Sequence, residues 1–122
     1  MDLRVQKVIT LMEHGLDRHL SAAVLAKAVN LSPWRLSHIF KTETHVSPLQ
    51  YLRSLRMERA KILLETSFLS VKQIMTEVGL SDESHFVRDF KSAFGVSPTR
   101  FRHSLEIGNS PRTRLTARTA RR

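Results

Sequence analysis

The sequence contains no cysteine, which removes disulfides, thiolate zinc sites and any cysteine nucleophile, and suits a reducing compartment. Glycine and proline are scarce, four of each, and Val, Ile, Thr, Tyr and Trp never gather into alternating runs. With Leu, Arg and Ser the commonest residues and Ala, Lys and Glu well represented, such a composition favours helix over sheet. No apolar stretch approaches the roughly 18 residues of a membrane span, and Met1-Asp2-Leu3-Arg4 leads into mixed charged and apolar residues instead of a secretory h-region. A soluble, cytoplasmic chain without a membrane partner is expected. His14, His19, His38, His45, His85 and His103 include no H-x3-H pair and have no cysteine beside them, and neither a glycine-rich phosphate loop nor a catalytic triad pattern occurs. No metal, no cofactor and no enzyme activity are expected.

A chain of 122 residues suits one folding unit around a single modest core. The formal charge is +9, but Arg112, Arg114, Arg118, Arg121 and Arg122 lie beyond Gly108 with no acid near them, which leaves 15 basic and 11 acidic residues, or +4, in 1–107. The expected division is a folded domain over 1–107 and a basic disordered tail over 108–122, either an inert extension or a non-specific polyanion arm. Charge of this sign is compatible with nucleic acid or an acidic surface and decides between them no further.

What the sequence does have is a phrase repeated six times, a bulky aliphatic followed by serine: Leu20-Ser21, Leu31-Ser32, Val46-Ser47, Leu69-Ser70, Leu80-Ser81 and Val96-Ser97. Serine at an N-cap accepts a hydrogen bond from an orphaned N–H of the first turn, and the aliphatic before it packs on the fourth helical residue. Those fourth residues are Leu25, Leu36, Tyr51, Ile74, His85 and Phe101, apolar in every case but His85. Pro33, Pro48 and Pro98 follow three of the serines, where the lost N–H costs nothing. Asn30, Gly79 and Gly95 sit where a left-handed residue would end a helix, and Gly15 closes an opening segment. The expectation is all-α, with seven helices at roughly 2–14, 22–29, 33–44, 48–65, 71–78, 82–94 and 98–104.

The chain also matches itself. Ala28-Val29-Asn30-Leu31-Ser32 aligns with Glu77-Val78-Gly79-Leu80-Ser81 at an offset of 49, and Phe40-Lys41 and Val46-Ser47-Pro48 align with Phe90-Lys91 and Val96-Ser97-Pro98 at an offset of 50. One residue is therefore inserted in the second copy between its serine and its phenylalanine. Each copy is a short helix, a tight turn and a second helix with an apolar inner face, which is a helix-turn-helix unit. The two are expected at about 21–44 and 70–94, joined by a linker helix over about 48–65. In the first copy Leu36, Ile39 and Phe40 form the inner stripe, which leaves Trp34, Arg35, Ser37, His38 and Lys41 outside. In the second, Phe86, Phe90 and Phe94 point in and Glu83, Ser84, Val87, Arg88 and Lys91 point out. A linker of about 27 Å is comparable with the roughly 34 Å between successive major-groove faces of B-DNA, so one chain could present two reading heads without dimerising.

The stretch from Val8 to Leu105, above all Gly79-Leu80-Ser81-Asp82-Glu83-Ser84-His85-Phe86-Val87-Arg88-Asp89-Phe90-Lys91 and Gly95-Val96-Ser97-Pro98-Thr99-Arg100-Phe101-Arg102, resembles the DNA-binding domain of the AraC/XylS family of bacterial transcription regulators. The resemblance implies duplex DNA as partner and, for an activator, contact with RNA polymerase. It also implies either a stand-alone short regulator or the C-terminal piece of a longer protein whose N-terminal domain binds an effector, and no segment before the first helix is expected to bind one. Trp34, Ser37 and His38 fall on family positions that face bases or the adjoining backbone in the first unit, and Glu83, Ser84 and Arg88 on those of the second. Two departures stand out. His45 replaces the glycine that usually follows the first recognition helix, which implies a distorted helix exit, and Leu80 stands where an aromatic is common, as harmless packing.

The expected base-reading set is thus Trp34, Arg35, Ser37, His38, Glu83, Ser84, Val87 and Arg88, with Lys41, Arg53, Lys91, Arg100 and Arg102 against phosphates. Each has a plainer reading. Arg88 could simply pair with Asp89 or Glu83, Glu83 could serve the helix dipole, and Arg53, Arg56 and Arg59 could form an ordinary charged helix face. A rival from another class is a helical interaction module in which Trp34 and Val87 dock a protein and DNA plays no part. DNA-repair methyltransferases with a similar module need an acceptor cysteine, which this chain lacks.

Overall fold

Serine caps open five of the helices as the repeated phrase requires. In the computed structural model, which describes residues 1–108, Ser21, Ser32, Ser47, Ser70 and Ser97 accept from the N–H groups of Val24, Arg35, Gln50, Gln73 and Arg100. Gln50 and Gln73 close reciprocal capping boxes with Ser47 and Ser70. The helices are α1 (Leu3–His14), α2 (Ala22–Ala28), α3 (Pro33–Thr44), α4 (Pro48–Thr66), α5 (Val71–Glu77), α6 (Glu83–Phe94) and α7 (Pro98–Gly108). α7 runs four residues past the expected end, to Gly108, and the expected tail beyond it lies outside the described residues.

The sixth serine does not cap. Asp82 opens α6, accepting from the His85 N–H at 3.0 Å. The residue inserted in this copy lengthens the turn by one, and the cap moves with it. Phe86, which is buried, then takes the fourth helical position that Ser81 would have given to exposed His85.

Both helix-turn-helix turns leave their first helix in the same way. Asn30 (φ 57°) and Gly79 (φ 80°) are left-handed, and the N–H groups of Asn30 and Leu31 reach Lys27 O and Ala26 O as those of Gly79 and Leu80 reach Thr76 O and Met75 O. Each is a Schellman closure that satisfies carbonyls the helix end leaves open.

The core is divided, where a single one was expected. Val5, Val8, Met12, Leu25, Leu36, Phe40 and Leu52 form one cluster with Ala26, and Met57, Ala60, Leu64, Ile74, Met75, Val78, Phe86 and Phe90 form the other. Small helices present narrow apolar faces, so each unit buries its own. α4, 19 residues and about 28 Å long, contributes Leu52 to the first cluster and Met57, Ala60 and Leu64 to the second. The repeat extends to aromatic packing: Phe40 meets Tyr51 edge-on with ring centroids at 5.4 Å, and fifty positions on Phe90 meets Phe101 at 5.7 Å. No helix among the described residues is long and apolar enough to cross a membrane.

Candidate nucleic-acid interface

With Leu36 and Phe40 buried on one side of α3, the helical period turns Trp34, Arg35, His38 and Lys41 to the surface and leaves Ser37 half-buried. Trp34 is 74% exposed and lies nearly parallel to the His38 ring, centroids 5.4 Å apart and planes 12° apart. The two rings form a flat plate on the helix surface. A large aromatic that finds its neighbour in a polar ring on the same exposed face contributes nothing to the core.

In α6, burial of Phe86 and Phe90 exposes Glu83, Ser84, Arg88 and Lys91 and leaves Val87 half-buried. Glu83, Ser84, Val87 and Arg88 line one shallow depression. Aligned on the phenylalanines, Ser84 answers to Trp34, Arg88 to His38 and Lys91 to Lys41, and all of these are exposed. The Arg88 Nε lies 3.8 Å from Asp89 and the Arg53 Nε of α4 3.9 Å from the other carboxylate oxygen. Both guanidiniums remain mostly exposed, 68% and 59% of their side chains, so Asp89 tethers each loosely and leaves it free to meet an anion. Arg100 is exposed one turn into α7.

Arg102, expected against a phosphate, is put to another use. Its guanidinium donates to the carbonyls of Leu63, Leu64, Ser67 and Leu69, where the end of α4 leaves acceptors open. A fork of five N–H donors fits such a cluster, and little of it is left for DNA.

The exit of α3 is not distorted by His45. Its φ of 68° and its N–H to Lys41 O at 2.8 Å match Gly95, with φ of 87° and its N–H to Lys91 O at 2.8 Å. An L-residue can take the left-handed cap, at a strain cost that glycine avoids.

Arg56, grouped with Arg53 and Arg59 as part of a charged face, turns inward. Its Nε and Nη2 donate to Leu16 O at 3.2 and 3.0 Å, and Nη2 also to Arg18 O at 3.0 Å. Burial lowers its pKa. The signal was present: 52, 56, 60 and 64 follow one another at four-residue spacing, and Leu52, Ala60 and Leu64 are buried. An arginine in that line must run its stem across the apolar face, which sets it apart from a solvated one.

Comparison with known proteins gives the same architecture. A family model described as a helix-turn-helix domain matches residues 25–104. The arabinose operon regulatory protein of Salmonella typhimurium is 36% identical over 107 residues, 87% of this chain and 38% of that protein, so the chain spans well under half of that relative. The regulatory protein SoxS of the same organism is 30% identical over 101 residues, covering 83% of this chain and 94% of SoxS. The crystal structure of the DNA-binding domain of AdpA, a global transcriptional factor, in complex with a target DNA matches with a TM-score of 0.79 and 26% identity over 83% of this chain and 91% of that one. On the family match and these identities together, the chain belongs to the AraC/XylS family of helix-turn-helix transcription regulators.

Proposed function

We propose that the chain binds duplex DNA at specific sequences to regulate transcription, with α3 and α6 entering neighbouring major grooves of a bipartite site. The observation that carries this reading is the pairing of exposed positions across the repeat, 34 with 84, 38 with 88 and 41 with 91, on helices whose opposite faces are buried. The helical period accounts for the exposure of these positions; what it does not ask for is a tryptophan left 74% exposed on one helix and an arginine only loosely tethered on the other, and those two support a surface that meets a ligand. The fold is also the one that AdpA's domain uses on its target DNA.

Arg88 reads a base by donating two hydrogen bonds to guanine. Trp34 presses its plate against a thymine methyl or a sugar, with Arg35, Ser37, His38, Glu83, Ser84 and Val87 completing the base-facing set. Lys41, Arg53, Lys91 and Arg100 meet phosphates. Two heads on one chain let a monomer occupy the site, in the cytoplasm, and an activating role acts through RNA polymerase. The work done is recognition; no bond is made or broken.

Selection of bound duplexes from a random pool tests the reading, with the salt dependence of binding to the winners. A bipartite consensus and a steep fall of affinity with salt are expected. Recovery of no sequence preference, with no salt slope, would leave the interaction-module alternative in its place.

A further inference from the structure

The loop that leads into the first helix-turn-helix unit touches the turn of the second at a point that the repeat makes easy to interpret. Gly79 is left-handed, as its counterpart Asn30 is, so the turn by itself does not demand glycine. Space does. A Cβ on Gly79 would stand 2.0 Å from Leu16 O and 3.0 Å from Leu16 C, a backbone group that no side-chain rotation can move aside. Leu16 lies in the α1–α2 connection and packs with the first core, while Val78 and Leu80 on either side of Gly79 pack with the second. That same Leu16 carbonyl is the one Arg56 holds with two donors, and Arg56 Nη2 would be 3.1 Å from the Gly79 Cβ. Loop, linker helix and second turn therefore converge on one oxygen atom.

We infer that Leu16, Arg56 and Gly79 form a clasp that fixes the angle between the two units, so that Arg56 and Gly79 are positioning residues for the pair of reading helices although neither is one of the residues placed on the DNA face. The linker helix alone sets the distance between units but leaves rotation and bend about its own axis to side-chain packing. The clasp adds a second attachment away from that axis, and two attachments define an orientation where one does not. A protein locked in this way requires the duplex to conform to it, so selectivity for the spacing between half-sites comes from the clasp and not from any base contact. This rests on the proposed DNA reading for its consequence and on the joint alone for its geometry, and the two are tested separately.

The absence of cysteine permits a clean distance measurement. Thr42→Cys on α3 and Ser92→Cys on α6, both exposed and fifty positions apart, carry spin labels in the full chain without DNA. One narrow distance distribution is expected for the parent and a broadened or shifted one for Gly79→Asn, which gives the second turn the residue the first already uses. Arg56→Ala is expected to do the same, and Asn30→Gly, at the turn without a clasp, to leave the distribution unchanged. Should Arg56→Ala fail to fold, Gly79→Asn decides. On DNA, without labels, Gly79→Asn should weaken binding to a selected two-part duplex by at least about tenfold while leaving binding to either half alone unchanged, because only the linkage between the two heads is lost. A distribution identical to the parent, or an equal change from Asn30→Gly, overturns the clasp. Equal losses on whole and half sites overturn its role in spacing. If the parent selects no DNA sequence the functional reading falls, and the label distances still judge the joint.

Discussion

At the scale of the residue, side chains of similar type do different work because of what surrounds them. Arg88 stays exposed beside Asp89, Arg102 is absorbed by carbonyls, and Arg56 pins a loop. Replacing Arg88 by alanine is expected to cost about 1–3 kcal/mol on a selected site and to relax preference at one base pair, while Lys91→Ala weakens cognate and random duplexes alike. Competition binding with single-base variants of the site separates the two; equal losses on cognate and random DNA for both would refute the division of labour. His45 offers a stability test free of DNA. Its left-handed backbone carries strain that glycine does not, so His45→Gly should raise stability by about 0.5–1 kcal/mol in urea unfolding. Asp2 gives a pH test. A side-chain hydrogen bond from Arg4 holds its pKa down at about 2 against an ordinary 3.8. A lowered folded pKa means that the contribution is fully present above the unfolded value and disappears as pH falls through the folded one. Urea midpoints should therefore drop between about pH 4 and pH 2 more steeply for the parent than for Asp2→Asn.

At the scale of the element, the start of α6 separates two capping residues that sit side by side. Asp82→Ala should cost about 1 kcal/mol and Ser81→Ala almost nothing, measurable by thermal or urea unfolding; the reverse order would return the cap to the serine. The near-miss shows what a sequence carries and what it does not. Helix starts were legible because a serine cap and its aliphatic neighbour are local, and inner stripes were legible because burial follows the helical period. Once Leu36, Phe40, Phe86 and Phe90 were assigned inward, the exposure of Trp34, His38, Ser84, Arg88 and Lys91 followed from geometry. The inserted residue was visible too, but Asp and Ser both cap well, and only burial of Phe86 chooses between them. The roles of Arg56 and Arg102 were not read because their acceptors are backbone carbonyls 33 to 40 residues away. A carbonyl has no letter in a sequence. The narrow gap above Gly79 was hidden for the same reason.

At the scale of the whole molecule, two small cores raise the question of whether they are two folding units. Each comprises few side chains, and small cores provide little stability by themselves. α4 crosses both, Arg56 ties the first loop to it, and Arg102 ties α7 to its end. Melting either cluster frees half of α4 and removes support from the other, so unfolding is expected to be cooperative across the chain. The lone tryptophan, Trp34, lies in the first unit and stacks on His38, so its fluorescence follows that unit, whereas far-ultraviolet circular dichroism follows every helix. A mild lesion in the other unit decides the matter. Ile74→Val removes one methyl group from a fully buried position in the second cluster and should cost about 0.5–1.5 kcal/mol. Under coupling, the Trp34 transition in urea moves to lower concentration by the same amount as the dichroism transition, although Ile74 belongs to the other cluster. If the Trp34 midpoint stays in place while the dichroism curve splits, the units fold separately and the linker helix transmits nothing between them.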